Sequence, residues 1–275
     1  MSTINSEKTT TRKIAFFDID GTLTSELTGT IPESAVYAIQ QARKNGHLMF
    51  INTGRCFQNV EERFLSVGFD GLVCGCGTNI YCDKREIFYL EQPHDVIQSI
   101  LKAARDTNVD ICFESKKEVV FDQTRPLIDA KAIKQFYAFK QRHYDMSHSP
   151  DSPDFTCDKF VIWFQDSQSL TDFRKVSDAH FSCIDRGGSF REFVPLGFSK
   201  ATGISQVLAY YDLPISSAYV FGDSNNDRSM LEFVPNSVVM GNAEDTSLFS
   251  IASFVTKKAS EDGIAHALQA LGFLD

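Results

Sequence analysis

The 275-residue chain is predicted to be an α/β protein whose parallel-sheet core is interrupted by an α+β insert. Three observations predict this. Short unbroken apolar runs alternate with helical patterns, the signature of parallel strands covered on both faces. That rhythm lapses between about residues 80 and 190, where hairpin and helix patterns cluster together. It then resumes to the end of the chain.

In chain order, Lys13 to Phe17 reads as a first buried strand. A helix follows with Pro32 in its first turn, Ala35, Ile39 and Ala42 along one face, and Gly46 as its stop. Leu48 to Ile51 is a second strand, Phe57 to Val67 a second helix and Leu72 to Cys74 a third strand. The stretch from Ile80 to Leu90 reads as a hairpin turning at Asp83-Lys84. Helices over 96–104 and 128–139 and strands over 109–113, 160–164 and 180–184 fill the rest of the insert, with a Ser/Pro/Asp-rich loop at 147–153. The βα rhythm returns near Glu192, with a helix over 200–210, a strand over 218–221, a helix over 227–233, a strand over 238–240 and a closing helix over 263–271. The boundaries that result are a core of 1–79 plus 191–275 and an insert of 80–190.

Composition sets outer limits on function. Hydrophobic residues make up 43% and charged residues 23%, the balance of a folded globular chain rather than a disordered one. The formal net charge of -9 lacks the basic footprint a nucleic-acid binder needs. Seven cysteines in no regular framework, with no signal peptide and no apolar run of spanning length, predict free thiols in a reducing, cytoplasmic setting without membrane attachment. The polar segment from Met1 to Arg12 reads as a frayed tail.

Four segments carry chemistry, each placed after a predicted strand. In open α/β sheets that edge is where ligands bind. The first is Phe17-Asp18-Ile19-Asp20-Gly21-Thr22-Leu23. Carboxylates at i and i+2 have no packing reason to sit there, and a continued strand would set both on one face. Their repulsion is relieved by a divalent cation, for which hard oxygen ligands suit magnesium, or by a proton kept on one of them. The second segment, Asn52-Thr53-Gly54-Arg55, offers a hydroxyl and backbone N–H groups at a helix start, suited to phosphate and equally to an ordinary N-cap. The third holds Lys200 at a helix start, where a cation opposes the helix dipole unless an anion faces it. The fourth, Gly222-Asp223-Ser224-Asn225-Asn226-Asp227, gathers oxygen ligands without the spacing of a calcium-binding EF-loop.

Other signals read as structure. Cys74, Cys76 and Cys82 match no zinc spacing and read as buried packing. Gly75-Cys76-Gly77 lacks the third glycine of a dinucleotide fingerprint. Lys116, Lys117 and Arg125 read as a solvated face or, less simply, as a basic rim that receives an anionic substrate. His143 and His148 form no metal pair, and Trp163 with Phe160 and Phe164 reads as core.

Taken together and in this order, the four segments resemble the haloacid dehalogenase superfamily of phosphotransferases, and the insert resembles its class IIB, Cof-type cap, over nearly the whole chain from Lys13 to Leu274. The resemblance implies a Rossmann-like parallel-sheet core with an inserted α+β cap domain. It also implies a magnesium-dependent phosphatase that hydrolyses small phosphorylated metabolites, sugar phosphates or phosphorylated cofactors, through an aspartyl-phosphate. Within it Asp18 is the nucleophile and Asp20 the general acid and base. Thr53, Gly54, Lys200 and Asn226 bind phosphate. Asp18, the backbone carbonyl of Asp20, and Asp223 hold the metal, with Asp227 supporting it from behind. Cys76-Gly77 departs from the family's usual Asn-Gly pair beside the cap junction. A sugar phosphomutase or a non-catalytic phosphometabolite-binding protein are the alternatives, and a monomer or weak homodimer is expected.

Overall fold

The computed structural model describes residues 12–275, so most of the expected N-terminal tail lies outside the described residues. The chain runs β1 (Ile14–Phe17), α1 (Glu33–Lys44), β2 (Leu48–Asn52), α2 (Glu62–Leu65), β3 (Gly71–Cys74), β4 (Asn79–Cys82), β5 (Arg85–Tyr89), α3 (His94–Asp106), β6 (Asp110–Glu114), β7 (Val119–Phe121) and α4 (Ala130–Gln141). It continues through β8 (Lys159–Trp163), α5 (Ser167–Ser177), β9 (Phe181–Asp185), β10 (Phe190–Pro195), α6 (Lys200–Tyr210), β11 (Ala218–Gly222), α7 (Arg228–Phe233), β12 (Asn236–Val239), β13 (Phe254–Val255) and α8 (Gly263–Ala270).

Two sheets result. The large one has the order β13-β12-β11-β1-β2-β3-β4-β5 and is parallel from β13 to β3. Its central strands β1 and β2 are buried along their whole length, which is why they read as unbroken apolar runs. Alternate residues feed two cores. Ala15 and Phe17 pack on α1 and α8, whereas Ile14 and Phe16 pack on α6 and α7.

The hairpin β4–β5, assigned to the insert on sequence, instead extends the large sheet by antiparallel pairing with β3. It turns at Asp83 and Lys84, both in the left-handed region, as a two-residue hairpin loop requires. Likewise β10, where the core rhythm was expected to resume, belongs to the small sheet.

The small sheet is antiparallel throughout, in the order β7-β6-β8-β10-β9. Strand alternation divides its faces. Ile111, Phe113, Phe160 and Ile162 face α3 and α5 in one apolar cluster. Cys112, Val161 and Trp163 face α4 in another. On that second face the same alternation places Glu114, Lys159 and Glu192, all buried. Among the described residues no helix is long and apolar enough to cross a membrane.

Candidate active site

The segment after β1 does not continue as a strand. Leu23 N–H bonds Asp18 C=O at 3.2 Å and Thr24 N–H bonds Ile19 C=O at 3.0 Å, so residues 19–23 close a wide helical turn. The i, i+2 carboxylates therefore do not share a strand face, and this corrects the expected geometry. Gly21 makes the turn possible: its φ is +81°, and a Cβ there would overlap the Asp223 carboxylate.

Asp18 points down into the protein. It is buried, and the ammonium of Lys200, itself buried, donates to Asp18 Oδ1 at 2.5 Å and to Asp227 Oδ1 at 2.6 Å. This answers the question of a lysine at a helix start, since two carboxylates face it. Burial pushes the Asp18 carboxyl up to about 6, against the pull of Lys200 and with a push from Asp227 and Asp20. The same arrangement drives Lys200 above the ordinary lysine range: burial opposes its charge, and Asp18 and Asp227 outweigh burial.

Asp20 points outward into the cleft. Arg55, from the Thr53 segment, donates from Nε to Oδ2 at 3.0 Å and from Nη2 to Oδ1 at 2.6 Å. Burial alone would raise this carboxyl, but the two Arg55 hydrogen bonds and its charge hold it below the usual carboxylate range. Arg55 is anchored in turn by Glu61 at 3.1 Å. The sequence pattern alone assigns Arg55 no role, because its partner Asp20 lies 35 residues away.

The segment after β11 closes the site from the other side. Asp227 Oδ2 accepts the backbone N–H groups of Asp223 and Ser224, both at 3.0 Å. With Oδ1 on Lys200, both its oxygens are engaged in holding other groups. Asp223 accepts the Thr22 hydroxyl at 2.7 Å. Burial pushes Asp223 up to about 8, reinforced by the charges of Asp227 and Asp18. One oxygen from each of Asp18, Asp223 and Asp227 lies within 4.8 Å of the others. Three carboxylates this close, two of them held above their ordinary range, form an all-oxygen donor set suited to a hard divalent cation. Asn226 is buried, its Oδ1 accepting from Ser224 Oγ at 2.6 Å. Asn242, unnoticed on sequence, donates to Gly21 C=O at 2.7 Å and fixes the turn.

Above Asp18 lies a cavity of about 440 Å³ between the two sheets. Asp18, Asp20, Thr53, Gly54, Arg55 and Asn226 line its floor. Lys200 is not exposed to it and reaches the cavity only through Asp18. The small sheet supplies the roof: Trp163 and Phe190 stack at 5.2 Å, beside the buried Glu114–Lys159–Glu192 row. Gly54 lets Glu192 approach, since a Cβ there would sit 2.9 Å from its Oε1. Cys76 Sγ lies 3.6 Å from the same oxygen, and burial pushes its thiol above the usual range. Lys116 is paired with Glu86, and Arg125 with Asp110, so neither joins a basic rim. The cations that do line the cavity are Arg55, Lys159 of β8, Lys131 and Lys134 of α4, Arg142 just beyond α4, and Arg186 of the β9–β10 turn.

The profile of the family described as haloacid dehalogenase-like hydrolase matches residues 15–268. YkrA of Bacillus subtilis strain 168, a protein named as a phosphatase, is 29% identical over 270 residues, covering 95% of this chain and 98% of its own. The solved structure of the phosphatase BT1666 of Bacteroides thetaiotaomicron has a TM-score of 0.81 at 23% identity and covers 99% of this chain and 100% of its own. That of the HAD subclass IIB sugar phosphatase BT4131 has a TM-score of 0.80 at 24% identity, with 95% and 99% covered. At these identities the two structures speak for the fold.

Proposed function

The chain belongs to the haloacid dehalogenase-like hydrolase family, and from that premise we propose that it is a magnesium-dependent phosphatase of small phosphate monoesters with Asp18 as its nucleophile. The observation that carries this reading is the buried Asp18 carboxylate at the cavity floor, fixed by Lys200 and crowded by Asp223.

In the reaction, an Asp18 carboxylate oxygen attacks phosphorus as the ester P–O bond breaks, leaving an aspartyl-phosphate. Asp20 gives its proton to the departing oxygen, then takes one from the water that attacks the same phosphorus and frees Asp18. Asp20 is held ionised by Arg55 here, so that transfer requires Arg55 to loosen its grip as substrate enters. Lys200 keeps Asp18 aligned and offsets charge from below. Thr53, Gly54 and Asn226, all on the cavity wall, hold the phosphoryl oxygens. Asp18, Asp223 and the Asp20 carbonyl would hold magnesium, with Asp227 orienting the Asp223 segment. When bound, the ion neutralises negative charge between nucleophile and phosphoryl group.

The cavity volume fits a small phosphorylated metabolite. All seven cysteines are free, in keeping with a cytoplasmic setting. The deciding experiment is phosphate release from a panel of phosphorylated metabolites, with and without magnesium, beside the Asp18→Asn protein. Magnesium-dependent release that vanishes in the variant supports the reading, and steady-state turnover retained by Asp18→Asn removes it.

A further inference from the structure

Resting on that proposed reading, we infer that the cavity roof carries a second anion subsite, and that preferred substrates are phosphomonoesters whose leaving group bears a further phosphate or carboxylate.

Six cations line the cavity: Arg55, Lys131, Lys134, Arg142, Lys159 and Arg186. Three are engaged. Arg55 holds Asp20 and Glu61, Lys159 lies between Glu114 and Glu192, and Arg142 donates to Asn59 Oδ1 at 3.0 Å with Glu61 at 3.5 Å. The other three make no side-chain hydrogen bond among the described residues. Arg186, from the β9–β10 turn, is three-quarters enclosed, its side chain 25% exposed, yet the Glu192 oxygen beside it is 3.9 Å away and out of hydrogen-bond reach. The carboxylates around it, Glu192 and then Asp18, favour its charge, and its side-chain donors remain free to bond a further anion.

Lys131 stands beside it. A Cβ on Gly188 would lie 3.0 Å from Lys131 Nζ, so this ammonium rests over the Gly187–Gly188 backbone that follows Arg186. Both glycines have positive φ, and neither supplies a side chain to fill the space. Lys134 lies one helical turn along α4, on the same face. Three like charges thus share the roof of a cavity in a chain of net charge -9. Asp18 on the floor marks where the scissile phosphate would sit, and Arg186 also borders the neighbouring pocket of Gly21, Asp223 and Asn226. Beside these groups the Trp163–Phe190 stack offers an apolar wall for a carbon skeleton.

The test uses the full chain with magnesium and phosphonates, in which carbon replaces the ester oxygen that hydrolysis would break. Isothermal titration compares a hexitol monophosphonate, the matching bisphosphonate, and a hexonic acid phosphonate whose second anion is a carboxylate. At least one dianionic ligand is expected to bind about tenfold or more tightly than the monophosphonate, as two or three charge-assisted hydrogen bonds would give. Whichever it is identifies the second group. Its advantage is expected to shrink to about twofold in Arg186→Ala and in Lys131→Ala/Lys134→Ala. The lysines are exposed and alanine favours helix, so that double variant retains its fold. In the unaltered protein, rising salt should weaken the dianionic ligands more steeply than the monophosphonate. Equal affinities for all three ligands, an advantage that survives both variants, or no binding of any phosphonate overturns the subsite. Because no ligand turns over, a protein that binds them this way but releases no phosphate from any monoester loses the proposed activity and keeps the subsite.

Discussion

Arg55 grips both carboxylate oxygens of Asp20, at 3.0 and 2.6 Å, and so turns the second acidic residue of the Asp18 segment away from the first. The two carboxylates consequently shift in opposite directions, Asp18 upward and Asp20 downward. Environments that separate two titrating groups in this way mark acid–base assignments.

Removing the grip should be visible in a pH profile. Asp20 is lowered chiefly by Arg55, so Arg55→Ala returns it toward or above its ordinary value. In the proposed reaction Asp20 must be protonated to release the leaving group, so the limb of kcat/KM that it governs is expected to move to higher pH. A profile that keeps its position while activity falls would place Arg55 in substrate binding instead.

Lys200 is shared by two buried carboxylates, and Lys200→Met would leave both uncompensated. Breaking a buried ion pair from one side costs about 3–5 kcal/mol. Urea unfolding should show a loss of that order, partly restored by magnesium, together with loss of turnover. A loss below about 1 kcal/mol would mean that solvent reaches Asp18 and Asp227 more freely than their burial indicates.

The Asp223 carboxyl sits near 8 without a cation, so protons and metal compete for it. As pH falls from about 8 to 6 the carboxylate fills with protons, and divalent-cation affinity should drop. Differential scanning fluorimetry should give a larger magnesium-induced rise in Tm at pH 8 than at pH 6. Asp223→Asn should abolish the rise at both.

At the junction of the sheets, Asp158 is fully buried, its Oδ2 accepting from the Thr78 hydroxyl and its Oδ1 without a partner. Burial raises its carboxyl to about 7, against the Thr78 hydrogen bond and Lys159. The folded state keeps this proton up to about pH 7, whereas the unfolded chain releases it near 4. The group's contribution to stability therefore declines between those values and stays low above them. Asp158→Asn, still able to accept from Thr78, should match the parent near pH 4 and exceed it at pH 8 by roughly 2–4 kcal/mol. Parallel stability curves for the two proteins would refute this.

Much of the core was legible because burial on both faces leaves a plain record. β1, β2 and β11 are almost wholly apolar, and a strand-end acidic cluster has few structural reasons to exist. Elements with weak local patterns were not legible. β7 has three residues, and α5 is largely polar, burying only Phe173 and Ser177. The hairpin β4–β5 was seen, but its sheet was not, since pairing with β3 or with the insert depends on contacts no local window contains. The same limit applied to side chains. That Lys200 meets Asp18 across 182 residues, or that Arg186 reaches the cavity roof beside Glu192, follows from three-dimensional closure alone.

Among the described residues the chain passes between the sheets only twice, from β5 at Tyr89 to α3 at His94 and from β10 at Pro195 to α6 at Lys200. With Phe88 beside one strap stacked on Phe198 in the other at 5.7 Å, the two would suppress sliding and favour swinging about the line that joins them, as a door turns on a pair of hinges. The roof residues must then travel as one leaf. Arg186, Lys131 and the Trp163–Phe190 stack would leave the floor together and return together, while the second strap ends on the lysine that steadies Asp18. Admission of a substrate and the setting of its nucleophile would accordingly share a single mechanical coordinate.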